Sequence, residues 1–245
     1  MSLVIPDGAH VSVVSTLDKT WVGPFMREVR DIQEGLGREV RILTTGGTKK
    51  ELEKDEHGIW RNVYEVREYT GVDEWLGGGV KTIDPRIAAP LLARAGVPED
   101  AEYVSKLGAH PISLVVINFY DFKKAVDAFE ASEKTVEDFA RVMENIDVGG
   151  PTNMRSALKR GGATPIIRPD RYESVVTDMR KNEGFVSPTL GAQLGLDLMQ
   201  ASSLYEAQIH AFLAKYSTLH IEYLANIELI RQGKREPFKV WKSAH

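Results

Sequence analysis

Residues 10–45 read HVSVVSTLDKTWVGPFMREVRDIQEGLGREVRILTT, and the fold class can be inferred from this stretch. The run 10–16 is short, apolar and rich in valine, which predicts a buried strand. Apolar residues then recur at the three- and four-residue spacing of a helix, and Gly35 and Gly37 close that pattern. Residues 38–45 are predicted as a second strand, so a strand, a helix and another strand follow one another.

The same alternation continues along the chain. Strands are predicted at residues 62–66, 111–120 and 163–169, and helices at 48–58, 84–96, 134–146 and 170–184. This alternation predicts an α/β fold with a mostly parallel sheet and helices on both faces. After about Ser187 the pattern is helical. We therefore predict an α/β domain at 1–190 and C-terminal helices at 191–245 that pack on it without forming an independent domain.

Composition excludes several classes of protein. The chain has 245 residues, 42% hydrophobic and 27% charged, as is usual for a globular protein. A net charge of −4 gives no overall basic field, so no nucleic-acid partner is expected. Without cysteine there is no thiolate metal site, and the six histidines show no metal-ligand spacing. We find no signal peptide and no apolar run of about 20 residues, and we expect a soluble, cytoplasmic protein with no membrane partner.

The segment TTGGTKKEL (44–52) follows a predicted strand and opens a helix. Gly46 and Gly47 allow close approach of a ligand, and Thr45 and Thr48 supply hydroxyls. The N-terminus of a helix favours an anion such as phosphate. The alternative is a plain strand-to-helix turn with Thr48 as N-cap.

Polar residues also follow other predicted strands. Ser15 and Lys19 lie in STLDKT at the end of the first strand, where a lysine can bind phosphate or simply stay solvated. A glycine-rich loop leads to Lys81 and Thr82. In INFYDF, Asn118 and Tyr120 are expected on one side of the strand, where both can hydrogen-bond a heterocycle. Alternatively, Tyr120 packs its ring in the core and leaves its hydroxyl in water.

The segment ENIDVGGPTNMRSALKRGG (144–162) places Asp147 before a Gly-Gly-Pro turn. Arg155 and Lys159 follow at positions i and i+4 of the next helix, so they share one face. A carboxylate beside a lysine can move a proton and stabilise a developing oxyanion. The alternative is an ordinary surface salt bridge.

Taken together and in this order, these motifs resemble the IMP cyclohydrolase domain of bifunctional enzymes that also carry a transformylase for 5-aminoimidazole-4-carboxamide ribonucleotide (AICAR). The resemblance runs from about residue 10 to about residue 215. It implies a methylglyoxal-synthase-like fold in a stand-alone domain without the transformylase half. It also implies closure of the pyrimidine ring of formyl-AICAR to give IMP and water, a step of purine biosynthesis that needs no cofactor or metal.

The resemblance further implies roles for individual residues. Lys81 would polarise the formyl oxygen. Asp147, paired with Lys159, would take a proton from the carboxamide nitrogen, and Tyr120 would relay protons as water leaves. The residues implied in substrate binding are Ser15, Lys19, Thr45, Gly46, Gly47, Thr48, Thr82, Asn118, Gly149 and Arg155.

Four positions depart from the family pattern. Leu17, Gly79, Asp84 and Arg160 stand where the family has serine, arginine, histidine and asparagine, respectively. Because these positions belong to the shell that holds the nucleotide, two alternatives stay open. One is a paralogue that cyclises a related nucleotide in a specialised pathway, and the other is a nucleotide-binding module without turnover. The C-terminal helices could also form a homodimer interface, although core packing is the commoner use of such faces.

Overall fold

Five short apolar segments form one sheet in the computed structural model, which describes residues 5–54, 56, 58–72 and 82–242. The strands are β1 (His10–Ser15), β2 (Val40–Thr44), β3 (Val63–Glu65), β4 (Leu114–Ile117) and β5 (Thr164–Ile166). Their order across the sheet is β3-β2-β1-β4-β5, and all neighbouring pairs are parallel. Each strand lies inside a predicted one, so the predicted parallel sheet is confirmed.

β1 is the central strand and pairs with both β2 and β4. Val14 is in register with Thr44 on one side and with Val116 on the other. The chain builds outward from β1 to β3, then returns to start the other half of the sheet at β4. Such a reversal of strand order opens a crevice at the carboxyl ends of the strands, where ligands of open α/β sheets bind.

Twelve α-helices are found among the described residues. They are α1 (Val22–Gly35), α2 (Gly46–Leu52), α3 (Val66–Thr70), α4 (Pro85–Leu92), α5 (Pro98–Lys106), α6 (Phe122–Glu130), α7 (Val136–Glu144), α8 (Gly149–Arg160), α9 (Tyr172–Lys181), α10 (Pro188–Lys215), α11 (Ser217–Arg231) and α12 (Lys239–Lys242). Within the described ranges, no helix combines the length and the apolar character needed to cross a bilayer.

The described residues of 5–72, 82–119 and 148–199 form the first of two compact units, which holds the sheet. Helices α1 and α9 pack together, and Phe25 stacks on Tyr172 with ring centroids 4.2 Å apart. Their apolar side chains cover Val14, Ile42 and Val116. α8 packs on β4 and β5, and α4 packs on α8. The predicted helix-covered sheet is thus confirmed.

The second unit contains residues 120–147 and 200–242 and is helical. Its core is aromatic. Phe212 lies with its ring centroid 5.3 Å from that of Phe129 and 5.2 Å from that of Phe139, and Phe139 is fully buried. α10 begins in the first unit and ends in the second. The predicted boundary at residue 190 therefore falls inside this helix, and the expected packing of 191–245 stays a prediction.

Several predicted elements differ from those of the structure, and some helices were not predicted. β4 ends at Ile117 instead of Tyr120, because the Asp121 side chain accepts a hydrogen bond from the Lys124 amide and starts α6. Asn118 and Tyr120 therefore do not share one face of a strand. Helices α3, α5 and α6 were not predicted, and α5 is mostly polar and buries only Val104.

The aromatic core of the second unit gives a stability test. Replacing Phe139 with alanine removes a fully buried ring, and we expect a loss of about 3–5 kcal/mol in the free energy of unfolding, measured with urea. Leu224→Ala, at a residue that is 52% exposed on α11, should change it by less than about 0.5 kcal/mol. Equal effects of the two substitutions would contradict the assignment of this core.

Candidate active site

Two hydroxyls meet at the carboxyl ends of β1 and β2. The Oγ of Ser15, the last residue of β1, lies 3.0 Å from the Oγ1 of Thr45. Thr45 follows β2 and is the N-cap residue of α2, although its side chain makes no capping hydrogen bond. The structure thus brings together two of the predicted phosphate-binding residues, and the alternative assignment of Thr48 as N-cap is wrong.

Thr48 ties the end of β1 to α2. Its Oγ1 accepts a hydrogen bond from the Thr16 amide at 3.0 Å and donates one to the Thr16 carbonyl at 3.2 Å. Both residues are buried. The Thr48 hydroxyl is therefore already used as donor and as acceptor, and it fixes where β1 ends relative to the first turn of α2.

Gly46 and Gly47 form the first turn of α2 with negative φ angles, so left-handed backbone is not the reason for glycine here. A Cβ at Gly47 would meet no heavy atom within 4 Å, and one at Gly46 would meet only Glu65 Oε1, at 3.9 Å. These glycines instead leave open space beside the backbone amides at the start of the helix.

Lys19 reaches the same edge of the sheet. Its Nζ donates a hydrogen bond to the Thr16 carbonyl at 2.7 Å, and the side chain is partly buried. Burial lowers the pKa of Lys19, while the nearby carboxylates of Glu51 and Asp18 oppose this shift. An ammonium group has three donors, so this one bond does not exhaust its capacity to bind an anion.

Asn118 follows β4 on the other side of β1. Its Nδ2 donates a hydrogen bond to the Ile167 carbonyl at 2.7 Å, which fixes the orientation of the amide. The Oδ1 is buried, and no donor within the described ranges bonds to it. A buried acceptor without a partner is costly, and such an atom is often satisfied by a ligand or an ordered water.

Thr82 is anchored to the start of α8 by a residue that the sequence did not single out. The Nδ2 of Asn153 donates to Thr82 Oγ1 at 2.7 Å and to the Gly149 carbonyl at 3.0 Å. A Cβ at Gly149 would lie 3.1 Å from Thr82 Oγ1, so glycine permits this close approach. Asn153 is only 2% exposed, and no local sequence pattern distinguishes such a buried asparagine from an exposed one.

Asp147 and Tyr120 meet in the second unit. The Tyr120 amide donates to Asp147 Oδ2 at 3.3 Å, and the Asp147 amide donates to the hydroxyl of Tyr205 at 2.7 Å. The Tyr120 side chain is 45% exposed, whereas Tyr205 is 6% exposed. Tyr205 was missed by the sequence reasoning because it lies far along the chain, on α10.

The remaining predicted site residues are placed as follows. Arg155 and Lys159 lie on α8 in the first unit, and both side chains are exposed. Lys81 lies outside the described residues. The predicted pair of Asp147 with Lys159 stays a prediction. Across the part of the chain that the structure describes, no group of three or more His, Asp or Glu side chains could hold a metal ion.

Two of the four departures from the family pattern have structural partners. The Asp84 side chain caps α4 by accepting a hydrogen bond from the Arg86 amide at 2.8 Å. The Nε of Arg160 donates to the Leu92 carbonyl at 3.1 Å. Leu17 is 52% exposed beside the end of β1, and Gly79 lies outside the described residues.

Comparison with known proteins places the chain in a family. The MGS-like domain family matches residues 26–152, about half of the chain. The chain belongs to the MGS-like domain family. The matched residues include the strands β2, β3 and β4 of the parallel sheet.

Two named proteins resemble the chain over most of its length. It is 35% identical over 185 residues (75% of this chain, 34% of the other) to the bifunctional purine biosynthesis protein PurH of Lactiplantibacillus plantarum. It is 32% identical over 227 residues to PurH of Bacillus subtilis, and this match covers 92% of this chain and 38% of the other. The chain thus spans only about a third of the length of these relatives. The crystal structure of ForH is 25% identical, with a TM-score of 0.64, and the match covers 82% of this chain and 97% of ForH.

The contact between Thr48 and Thr16 can be tested directly. In Thr48→Val the buried amide and carbonyl of Thr16 lose their partner, and we expect the free energy of unfolding to fall by about 1–3 kcal/mol. Thr48→Ser keeps the hydroxyl and should retain most of this free energy. Urea unfolding measures both, and a Thr48→Val variant as stable as the parent chain would contradict the assigned contact.

Proposed function

We propose that this chain closes the pyrimidine ring of formyl-AICAR to give IMP and water. The observation that carries the proposal is the meeting, at one sheet edge, of the Ser15–Thr45 hydroxyl pair, the Lys19 ammonium and the open first turn of α2. This combination suits the phosphate of a nucleotide. The similarity to two proteins named bifunctional purine biosynthesis protein supports a purine nucleotide as the substrate.

In this proposal the phosphate lies against the amides of Gly46 and Gly47. The hydroxyls of Ser15 and Thr45 donate hydrogen bonds to it, and Lys19 supplies the point charge. The role of Thr48 is positional, because its hydroxyl is engaged by Thr16. Arg155 adds positive charge for the nucleotide.

The base is proposed to lie toward β4. Asn118 Oδ1 needs a donor, and an N–H of the substrate carboxamide supplies one. Thr82 and Gly149, held together by Asn153, border the base.

Ring closure then needs one base, one electrophilic cation and a proton relay. The carboxamide nitrogen attacks the formyl carbon, and Asp147, which the proposal pairs with Lys159, takes one of its protons. Lys81 stabilises the negative charge that develops on the formyl oxygen. The formyl oxygen takes up the proton that left the carboxamide nitrogen, which gives a carbinolamine. This hydroxyl then leaves as water together with the proton of the former formamide nitrogen. Tyr120 relays protons in that step.

A related substrate is the second candidate, and Leu17 favours it. An exposed apolar side chain occupies the position where the family has a serine, so one hydroxyl near the proposed phosphate site is missing. A paralogue that cyclises a similar formamido-carboxamide nucleotide would keep the chemistry and change the shell around the substrate.

Turnover tests the proposal. The pure protein is incubated with formyl-AICAR, and IMP is followed by absorbance. Removal of the proposed base in Asp147→Asn should lower kcat by about 100-fold or more, since general-base catalysis contributes about 10²–10⁴-fold. Lys81→Ala should also abolish most turnover. Asp127→Asn is the matched control, because Asp127 is a surface residue of the same unit, paired with Lys123.

The outcomes separate the alternatives. Turnover of formyl-AICAR that survives in Asp147→Asn rules out Asp147 as the base. Turnover with only another formamido nucleotide identifies a paralogue. IMP binding without turnover of any such nucleotide identifies a binding module and overturns the proposed catalysis.

Gly47→Ala tests the phosphate site separately. The added methyl meets open space in the ligand-free chain, so stability should stay equal or rise by about 0.5–1 kcal/mol, as for other glycine-to-alanine changes in helices. A phosphate at this turn would clash with the methyl, so calorimetry should show weaker binding of IMP and unchanged binding of inosine. Gly191→Ala on α10, also facing open space, is the control. Equal IMP affinity in both variants would exclude this position for the phosphate.

A further inference from the structure

The hydroxyl of Tyr205 bridges the two sides of the turn that carries Asp147. It accepts a hydrogen bond from the Asp147 amide at 2.7 Å and donates one to the Asn145 carbonyl at 3.4 Å. These residues connect the end of α7 to the start of α8. One side-chain atom thus satisfies a donor and an acceptor of the backbone on either side of Ile146, and it fixes the shape of the turn.

Tyr205 is itself held firmly. It is 6% exposed, and its ring packs edge-on against Phe122 with centroids 6.2 Å apart. Burial raises the pKa of Tyr205 to about 12, and the nearby carboxylates of Asp147 and Glu206 act in the same direction. The hydroxyl therefore stays protonated at neutral pH, which it must do to donate to Asn145.

The carboxylate of Asp147 is fixed from a second direction. Its Oδ2 accepts a hydrogen bond from the Tyr120 amide at 3.3 Å. The backbone of Asp147 is thus held by Tyr205 and its side chain by the segment before α6. With both contacts in place, the main-chain position and the direction of the carboxylate are determined together.

We propose that Tyr205 is a positioning residue for ring closure, which acts by holding Asp147 where its carboxylate meets the carboxamide nitrogen. This inference rests on the proposed function, in which Asp147 is the base. It adds a residue on α10 that touches no reacting atom. Misplacement of a catalytic group by about 1 Å can cost about 100-fold in rate, so one lost hydroxyl in this turn should be visible in kcat.

A purely structural role predicts different results. Loss of a buried hydroxyl would then lower stability, and activity would fall only as far as the folded fraction falls. A positioning role predicts a lower kcat in fully folded protein, with KM and the affinity for IMP nearly unchanged. It also predicts that the substitution has no further effect once Asp147 can no longer act as a base.

The experiment compares Tyr205→Phe with Tyr223→Phe, alone and combined with Asp147→Asn. Both tyrosines are buried in the second unit, and the ring of Tyr223 packs against Phe139 and Phe238. We expect Tyr205→Phe to lower kcat for formyl-AICAR by about 10- to 100-fold, with KM changed by less than about threefold. Tyr223→Phe should keep the parent kcat. The double variant Asp147→Asn/Tyr205→Phe should be no slower than Asp147→Asn.

Amide hydrogen exchange gives a readout that does not depend on activity. The Asp147 amide should exchange faster in Tyr205→Phe and at the parent rate in Tyr223→Phe, because only the first variant loses its acceptor. Faster exchange with an unchanged kcat would overturn the inference and leave the proposed function standing. Multiplied effects in the double variant would also overturn it. If Asp147→Asn is fully active, the proposed base fails and the role of Tyr205 falls with it.

Discussion

The hydroxyl of Thr48 bonds both backbone groups of Thr16, and the proposed phosphate site depends on this contact. Thr16 directly follows the central strand, where its amide and carbonyl lose the partners that a ladder would give them. Thr48 satisfies both and joins β1 to the first turn of α2. Ser15, Thr45 and Lys19 are all placed by this junction, since Lys19 also bonds the Thr16 carbonyl. The position of the proposed phosphate site thus depends on one buried hydroxyl.

Tyr205 repeats this arrangement in the second unit. A hydroxyl is at once a donor and an acceptor, so it can satisfy an amide and a carbonyl that a turn leaves unpaired. The Thr48 hydroxyl bonds the amide and the carbonyl of one residue, Thr16. The Tyr205 hydroxyl bonds the Asp147 amide and the Asn145 carbonyl, on the two sides of a turn. In both places the bridging hydroxyl is buried, while the residues that we assign to the ligand lie beside it. Positioning and ligand contact are thus carried by different side chains.

The sequence predicted the strands well, because a buried parallel strand is a short apolar run such as VSVVS or LVVI. It also located the glycine turn after β2, because two adjacent glycines directly after a strand are enough to predict a turn there. Asn153 and Tyr205 were missed because their partners lie 71 and 58 residues away, and no local pattern marks such contacts. The end of β4 was missed for another reason. No glycine or proline separates Ile117 from Tyr120, so the sequence does not mark the end of the strand before the cap at Asp121.

The departures from the family pattern differ in what they mean for the substrate. Asp84 caps α4 and Arg160 bonds its last carbonyl, that of Leu92, so each has a structural contact in the first unit. Leu17 has no such role in what the structure shows; its exposed side chain removes a hydroxyl near the proposed phosphate site. A phosphate keeps its charge whatever base it carries, and Lys19 and the α2 amides suit any nucleotide. In the proposed function, Asn118 Oδ1 at the base end adds to the discrimination between related nucleotides, because it needs a hydrogen-bond donor from the substrate.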